Sequence, residues 1–139
     1  GVASSGTFNA NPIVVAAALQ TLKELQRPGT YEKFNQLATM LTDGVKALAN
    51  KHHLAVYSKP VGSICTLEFG FTEKNPIVDL RDLLRRSDLD MYNKFYLLCR
   101  QHGIRVAGKR GRIYLSTAHT EEDIVTTLKA FDDIFGELA

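Results

Sequence analysis

The chain has 139 residues, of which 45% are apolar and 23% charged, and its formal net charge is +2. This length suits one domain with a hydrophobic core, and so small a net charge does not point to a nucleic acid or an anionic membrane as partner. The longest apolar run, Ile13 to Leu19, is too short to span a bilayer, and residues 1–5 do not resemble a signal peptide. Cys65 and Cys99 stand alone in apolar surroundings, so we expect reduced core residues of a cytoplasmic protein and no metal site.

The N-terminal region combines a polar leader with an apolar helix. Residues 1–11 are small and polar, and we expect them to be flexible in isolation. Asn11 can cap a helix and Pro12 suits its first position, so a helix is predicted from Pro12 to about Gln26, before the turn at Pro28-Gly29. Its side chains are apolar on nearly every side, which predicts burial on nearly every side. A chain this short has little bulk to surround it, so the helix is expected to pack against something that the chain does not contain.

Three more helices are predicted from apolar residues at helical spacing. The first of them begins at Thr30, as its cap, and runs to about Lys51. The next is capped by Ser87 and ends at Gly103, the residue type that most readily adopts a left-handed conformation. The last begins at Thr120 in a capping box.

Alternating patterns predict strands between these helices. A turn at Pro60 is expected between the first two strands, and the last two are predicted to form a hairpin through Gly108-Lys109-Arg110-Gly111. The predicted strands cover residues 54–57, 65–71, 104–106 and 112–116. Strands joined by hairpins and covered by helices on one face predict an α+β fold, a two-layer sandwich with a small antiparallel sheet, preceded by two N-terminal helices.

Several fragments, in this order and spacing, resemble the C-terminal part of the class III, fold-type I, pyridoxal-phosphate aminotransferases. Within that class the chain resembles the glutamate-1-semialdehyde 2,1-aminomutases, and the likeness extends over essentially its whole length. The fragments are Gly6-Thr7-Phe8-x-x-Asn11-Pro12, Arg27 to Tyr31, Gly62-Ser63, Ser87-Asp88, His102-Gly103-Ile104 and Ser116 to Ile124. The resemblance implies that residues 12–139 are the small C-terminal domain of a larger enzyme.

The resemblance also implies which catalytic groups this chain lacks. Pyridoxal-phosphate chemistry needs a Schiff-base lysine and an acid for the ring nitrogen, and in the family both lie upstream, on the large domain. Lys23 and Lys33 are on predicted solvated helix faces and do not replace that lysine. We therefore expect no catalytic residue in the chain, no activity of the chain alone, and no cofactor bound to it in isolation.

Gly6 and Thr7 are the candidate cofactor-binding residues. By resemblance, this pair reaches across the dimer to the phosphate of the other subunit's pyridoxal 5'-phosphate. A glycine lets the backbone approach closely, and the next N–H and hydroxyl are short donors to a phosphate oxygen. The alternative is that the pair is only a flexible leader to the first helix.

The predicted hairpin is where the sequence departs from the aminomutases. The family has a Ser-x-Phe-Glu segment facing the active site where this chain has Gly108 to Gly111, so a carboxylate is lost and two positive charges appear. Lys109 or Arg110 is a candidate contact for a substrate carboxylate, because a guanidinium matches its geometry. The alternative is a solvated hairpin tip. His119, just before a helix cap, is expected to have a structural role.

Two hypotheses for function follow. In the first, the chain is the C-terminal domain of a class III aminotransferase or aminomutase, which closes over a small amino-acid-like substrate and supports a homodimer. Its partners are then the large cofactor-binding domain and a second subunit. In the second, it is a stand-alone α+β module, derived from such a domain, that binds a ligand or a partner through the basic hairpin.

Overall fold

The computed structural model describes residues 5–107 and 111–139. Five helices and three strands lie within these ranges. In chain order they are α1 (Pro12–Leu25), α2 (Thr30–Lys51), β1 (Val56–Val61), β2 (Ile64–Phe69), α3 (Leu80–Arg86), α4 (Leu89–Gln101), β3 (Arg112–Tyr114) and α5 (Glu121–Leu138).

The three strands form one antiparallel sheet in the order β1-β2-β3. The tight turn at Gly62-Ser63 joins β1 to β2, so Val61 faces Ile64 across the ladder and Val56 faces Phe69. The short strand β3 pairs with the other edge of β2, where Ile64 faces Tyr114. Consecutive side chains of each strand point to opposite faces of the sheet, so this register gives the sheet two different surfaces.

One face of the sheet is covered by helices. Helix α2 lies against β1 and β2, α4 against β2, and α5 packs on α2 and α4. The side chains that fill this layer are buried because each helix turns its apolar stripe towards the sheet. They include Leu37, Leu41 and Val45 of α2, Val56, Cys65, Leu67 and Phe69 of the sheet, Phe95 and Cys99 of α4, and Ile124, Phe131, Ile134 and Phe135 of α5. The predicted two-layer α+β architecture is confirmed.

Two predicted helix starts are confirmed and two are wrong. The side-chain oxygen of Asn11 accepts hydrogen bonds from the N–H groups of the first turn of α1, and Thr120 forms the capping box of α5. The cap of α2 is Gly29 and not Thr30, because Gly29 takes the left-handed conformation at the end of the preceding turn. The cap of α4 is the next residue after Ser87, an aspartate, because the Ser87 hydroxyl is already bonded to a carbonyl in α3.

The strand predictions differ from the structure in their bounds and in two further places. Pro60 lies within β1, where it faces Cys65, rather than in a turn. Proline is tolerated there because β1 is an edge strand and loses no ladder bond. Residues 104–106 form no strand, and only Ala107 makes an isolated bridge, to Arg112. The predicted loop through residues 108–110 lies outside the described residues.

A charged cluster connects the end of α2 to α5. Lys51 Nζ lies 2.7 Å from Asp132 Oδ2, and His52 Nε2 lies 2.6 Å from Asp132 Oδ1. Hydrogen bonds from Lys51, and then from His52, lower the pKa of the Asp132 carboxyl. Because the pKa is lower in the folded state, the cluster stabilises the fold at neutral pH, and this stabilisation is lost as the pH falls through the folded-state pKa.

We expect Asp132→Asn to lower the free energy of unfolding at pH 7. The deficit relative to the unsubstituted chain should shrink on acidification and disappear well below about pH 3.9, the ordinary pKa of aspartate. Urea unfolding followed by circular dichroism at a series of pH values measures it. Asp133→Asn is the matched control, because Asp133 is exposed beside it and makes no ion pair with a described residue. An equal deficit for Asp132→Asn at every pH would contradict the assignment.

Candidate functional site

The leader ends in a compact turn that presents Gly6 and Thr7 to solvent. The Asn9 N–H donates to the Gly6 carbonyl at 3.2 Å, and the Asn11 N–H donates to the Phe8 carbonyl at 3.1 Å. Both Gly6 and Thr7 are exposed. Among the described residues, the Thr7 N–H and hydroxyl have no hydrogen-bond partner. Two donors next to a glycine are thus available to a group from outside the described chain.

Helix α1 follows this turn and leaves its apolar side chains exposed. No residue of α1 is buried, and Ile13 remains 80% exposed. The other exposed apolar side chains of this helix are Val14, Val15, Leu19 and Leu22. The helix is connected to the domain at its C-terminal end, where Leu25 packs partly on the core and the Thr30 hydroxyl donates to the Glu24 carbonyl. The expectation that the described chain does not surround this helix is confirmed.

The second exposed surface is the sheet face opposite the helices. On this uncovered face Ile64 lies beside Val61 on one side and Tyr114 on the other. Tyr114 is 52% exposed and Val61 66%. Two cations, Lys59 and Arg112, flank these apolar residues, each opposite Thr66 in the register. An uncovered sheet face with apolar residues at its centre indicates a contact surface.

Glu68 lies on the uncovered face but is only 7% exposed. It faces Tyr57 across the ladder, and its charge contributes, after burial, to raising the pKa of Tyr92 to about 12. The preceding residue, Leu67, is bonded to Gly111 through the backbone: the Leu67 N–H donates a hydrogen bond to the Gly111 carbonyl. This face of the sheet is therefore covered at the Glu68 end of β2, where Glu68 is a buried carboxylate. Our sequence analysis missed it, although alternation with the buried Leu67 and Phe69 already indicated on which face it lies.

The structure describes two of the four candidate residues of the sequence analysis. Gly6 and Thr7 are in the leader turn, whereas Lys109 and Arg110 lie outside the described residues, so the substrate contact remains a prediction. Gly111, at the end of that segment, is described, and it lies directly against the backbone of Leu67.

His119 is bound within its own loop. Its Nδ1 accepts a hydrogen bond from the Ser116 N–H at 2.9 Å, so the neutral ring has its proton on Nε2. Lys33 of α2 stabilises the same loop, because its Nζ donates a hydrogen bond to the Thr117 carbonyl at 2.9 Å. These bonds give His119 and Lys33 structural roles.

The described residues offer little chemistry of their own. Burial raises the pKa of the Cys65 thiol to about 11 and that of Cys99 to about 12, so neither is a thiolate at neutral pH. Over residues 5–107 and 111–139, no group of three or more His, Cys, Asp or Glu side chains is arranged to hold a metal ion. In the same ranges no helix is long and apolar enough to cross a membrane.

The fold matches that of known transaminases. Comparison with solved structures finds a glutamate-1-semialdehyde aminomutase from Pseudomonas aeruginosa (TM-score 0.79, 19% identity). The match covers all of this chain and 31% of the aminomutase chain. A structure described as a transaminase with PLP bound matches with a TM-score of 0.77 at 21% identity, covering 99% of this chain and 30% of that one. The described residues therefore have the fold of the small domain of pyridoxal-phosphate aminotransferases.

Sequence comparison identifies the homologues. The chain is 35% identical over 138 residues to glutamate-1-semialdehyde 2,1-aminomutase of Desulfatibacillum aliphaticivorans, and 34% identical over 137 residues to that of Nitrosomonas europaea. These alignments cover 99% and 98% of this chain but only 32% and 31% of the relatives. No family model matches. The chain is thus homologous to the glutamate-1-semialdehyde 2,1-aminomutases and matches the C-terminal part of these proteins. The resemblance seen in the sequence is confirmed.

Proposed function

We propose that this chain acts as the small C-terminal domain of a larger pyridoxal-phosphate aminotransferase or aminomutase, which it completes by docking on a large cofactor-binding domain. The exposed side of α1 is the observation that carries this proposal. A 14-residue helix with no buried residue is marginal in water, and its apolar side chains gain their burial only from another surface. The chain spans about a third of the length of the relatives it matches, and the remaining two thirds offer such a surface.

We also propose boundaries for the domain and for the segment before it. Residues 12–139 are the domain, and residues 1–11 are a leader that precedes it. The uncovered sheet face, with Val61, Ile64 and Tyr114 at its centre, is the second docking surface and closes over a small amino-acid-like substrate. We place the enzyme in the cytoplasm. We also propose a homodimer, because the exposed Gly6-Thr7 turn leaves its hydrogen-bond donors accessible to a group of another subunit.

The Gly6-Thr7 turn fits the phosphate group of pyridoxal phosphate. A phosphate needs short N–H and O–H donors and an unobstructed approach, and Thr7 supplies both donors next to a residue without a side chain. In the assembled enzyme these residues would hold the phosphate of the other subunit's cofactor. When bound, the cofactor supplies an electron-withdrawing ring that stabilises negative charge on the substrate carbon. The residues of this chain contribute binding and orientation, and by covering the site they exclude water.

The substrate contact that we propose lies at residues 108–111, where this sequence differs from the aminomutases. Lys109 and Arg110 stand where the aminomutases have their Ser-x-Phe-Glu segment, and we assign them to a substrate carboxylate. The nearest described strand, β2, has a buried acid in Glu68, one residue beyond the Leu67 that pairs with Gly111.

The first experiment is the intact mass of the protein isolated from its own cells. We expect a mass about three times that of this chain, since the chain matches 32% of a full-length relative. Absorbance of the isolated protein then tests for bound pyridoxal phosphate, and amino-group transfer is assayed with the purified enzyme. A mass equal to that of this chain alone would overturn the proposal in favour of a stand-alone binding module.

We expect Thr7→Val in the full-length enzyme to weaken pyridoxal-phosphate binding by about 10- to 100-fold. This estimate corresponds to the loss of one hydrogen bond to a charged group, about 1.5–3 kcal/mol. Equilibrium dialysis of the cofactor measures it. Thr21→Val is the matched control, because Thr21 is exposed on α1 and, among the described residues, its hydroxyl bonds only to the helix carbonyl of Ala17. Equal cofactor affinity of the Thr7 and Thr21 variants would contradict the role of Thr7.

A further inference from the structure

A cleft of about 410 Å³ lies where α4 ends and the chain turns into residues 103–106. Its lining includes two arginines, Arg100 from the last turn of α4 and Arg105 from the segment that follows. Tyr96, one turn before Arg100, lies in the same cleft and is half-buried. A volume of this size accommodates a small metabolite.

Neither arginine is needed to end the helix. A basic residue in the last turn commonly interacts with the free carbonyls there. Here three of those carbonyls already have backbone partners: the N–H groups of His102, Gly103 and Ile104 bond to the carbonyls of residues 98, 100 and 99. The Arg100 guanidinium is therefore available for another partner.

The charge of the cleft is not compensated within the described chain. Over residues 5–107 and 111–139, neither Arg100 nor Arg105 forms an ion pair or a side-chain hydrogen bond. The acid that contacts the end of α4, Glu137, is bonded to His102 at 3.1 Å. Two cations that share a cleft repel each other, and a bound anion removes that repulsion.

Arg105 also borders a second cleft, of about 460 Å³, that contains a carboxylate. This carboxylate, Asp123, accepts from the N–H and the hydroxyl of Thr120 at 2.8 and 2.9 Å through Oδ2. These bonds lower the pKa of Asp123 and fix it in the capping box of α5. Arg105 thus borders two groups. On one side is the Asp123 carboxylate, which is already hydrogen-bonded to Thr120, and on the other is the Arg100 side chain.

We propose that the cleft between the end of α4 and residues 103–106 binds a small dianion, a dicarboxylate or a phosphate ester, through Arg100 and Arg105. The guanidinium groups supply paired N–H donors to two oxygens each, and the Tyr96 hydroxyl supplies a further donor at the wall. This site is separate from the Gly6-Thr7 turn and requires no catalytic group.

The test uses the 139-residue chain labelled with ¹⁵N. Phenyl phosphate, a phosphate ester, and succinate, a dicarboxylate, are titrated at about pH 7.5, where both are mainly dianions. Acetate serves as the monoanion, and the ionic strength is held constant. We expect saturable shifts of the Gly103 and Ile104 amide signals with at least one dianion, and binding at least about 10-fold weaker for acetate. The dianion that binds more tightly decides between the phosphate and the dicarboxylate.

The variant pair Arg100→Gln/Arg105→Gln should weaken dianion binding by about 10-fold or more, the loss expected for hydrogen bonds to charged groups. The control is Arg81→Gln/Arg85→Gln, which removes the same charge from a cleft of about 490 Å³ that also contains Asp79 and Asp82. Shifts that sodium chloride reproduces, or an equal loss of binding in both double variants, would overturn the site. Binding that persists in the Arg100/Arg105 variant would do so as well.

Discussion

Replacing Gly111 with alanine is expected to lower the free energy of unfolding by about 3 kcal/mol or more, the upper range for forced overpacking. An added Cβ would overlap the carbonyl group of Leu67. The Leu67 carbonyl belongs to the backbone and the added Cβ is fixed to the backbone of residue 111, so no side chain can move aside to make room. Relief of the overlap requires the chain at Gly111 to separate from β2, which breaks the hydrogen bond from the Leu67 N–H to the Gly111 carbonyl. Urea unfolding of the two chains, followed by circular dichroism, measures the loss.

Gly136→Ala is the matched control for Gly111→Ala. The nearest atom to its added Cβ would be Cε1 of His52, at 3.4 Å, which is an ordinary contact. Gly136 lies within α5, where alanine is favoured over glycine by about 1 kcal/mol, so this variant should be neutral or slightly stabilised. A Gly111→Ala protein that unfolds at the same urea concentration as the unsubstituted chain would contradict the close approach.

Phe95→Ala is expected to cost about 3–5 kcal/mol, the range for a large-to-small change of a buried aromatic residue. The Phe95 ring is 1% exposed and lies at the centre of an aromatic cluster that connects α4, α5 and β2. Its centroid is 5.2 Å from that of Phe131, 5.6 Å from Phe69 and 6.0 Å from Phe135. Removing the ring leaves a cavity between α4, α5 and β2. None of these elements can move to fill it without losing its contacts with the other two. Thermal and urea unfolding both measure this cost.

Leu97→Ala in the same helix is the control for Phe95→Ala. Leu97 is 59% exposed, so its truncation should change the free energy of unfolding by less than about 0.5 kcal/mol. If the two variants lost similar stability, the aromatic cluster would not be the centre of the core. Phe95→Leu should fall between them, because it retains much of the buried apolar volume.

Helix and strand periodicity predicted the architecture because burial determines both. The stripe of α2 that contains Leu41 and Val45, and the alternation of Cys65, Leu67 and Phe69, each had to face a core. Helix ends were predicted less well, because neighbouring polar residues compete for the same N–H groups. Ser87 and Asp88 are both suitable caps, and only the bond from the Ser87 hydroxyl to the Leu83 carbonyl decides between them.

The error at residues 104–106 has a different cause. The alternation of Ile104, Arg105 and Val106 reflects a buried Val106 between two more exposed neighbours, which is also what a strand would show. A strand additionally needs a backbone partner, and pairing between distant segments leaves no mark in the local pattern. The second cleft beside Arg105 was unpredictable for the same reason, since it brings residues 104–105 together with residues 118–127.

The candidate site depended on the resemblance more than on any local pattern. Gly6 and Thr7 carry no periodicity or spacing that indicates a phosphate, and the structure adds only that their donors are exposed. The uncovered sheet face, by contrast, follows from alternation once the buried face is known. Tyr114 and Glu68 could have been placed on it from the sequence, given the register of β2.

Because α1 contributes no buried residue to the core, the sequence of this chain is under two separable constraints. The helices and strands of residues 30–139 hold the domain together, whereas Ile13, Val14 and Leu19 contribute nothing to that task. Substitutions at these three positions should leave the domain folded and act on assembly alone. The length and apolar character of α1 are then set by the surface that receives it. In homologues we expect α1 to vary together with that surface, independently of the core of its own domain.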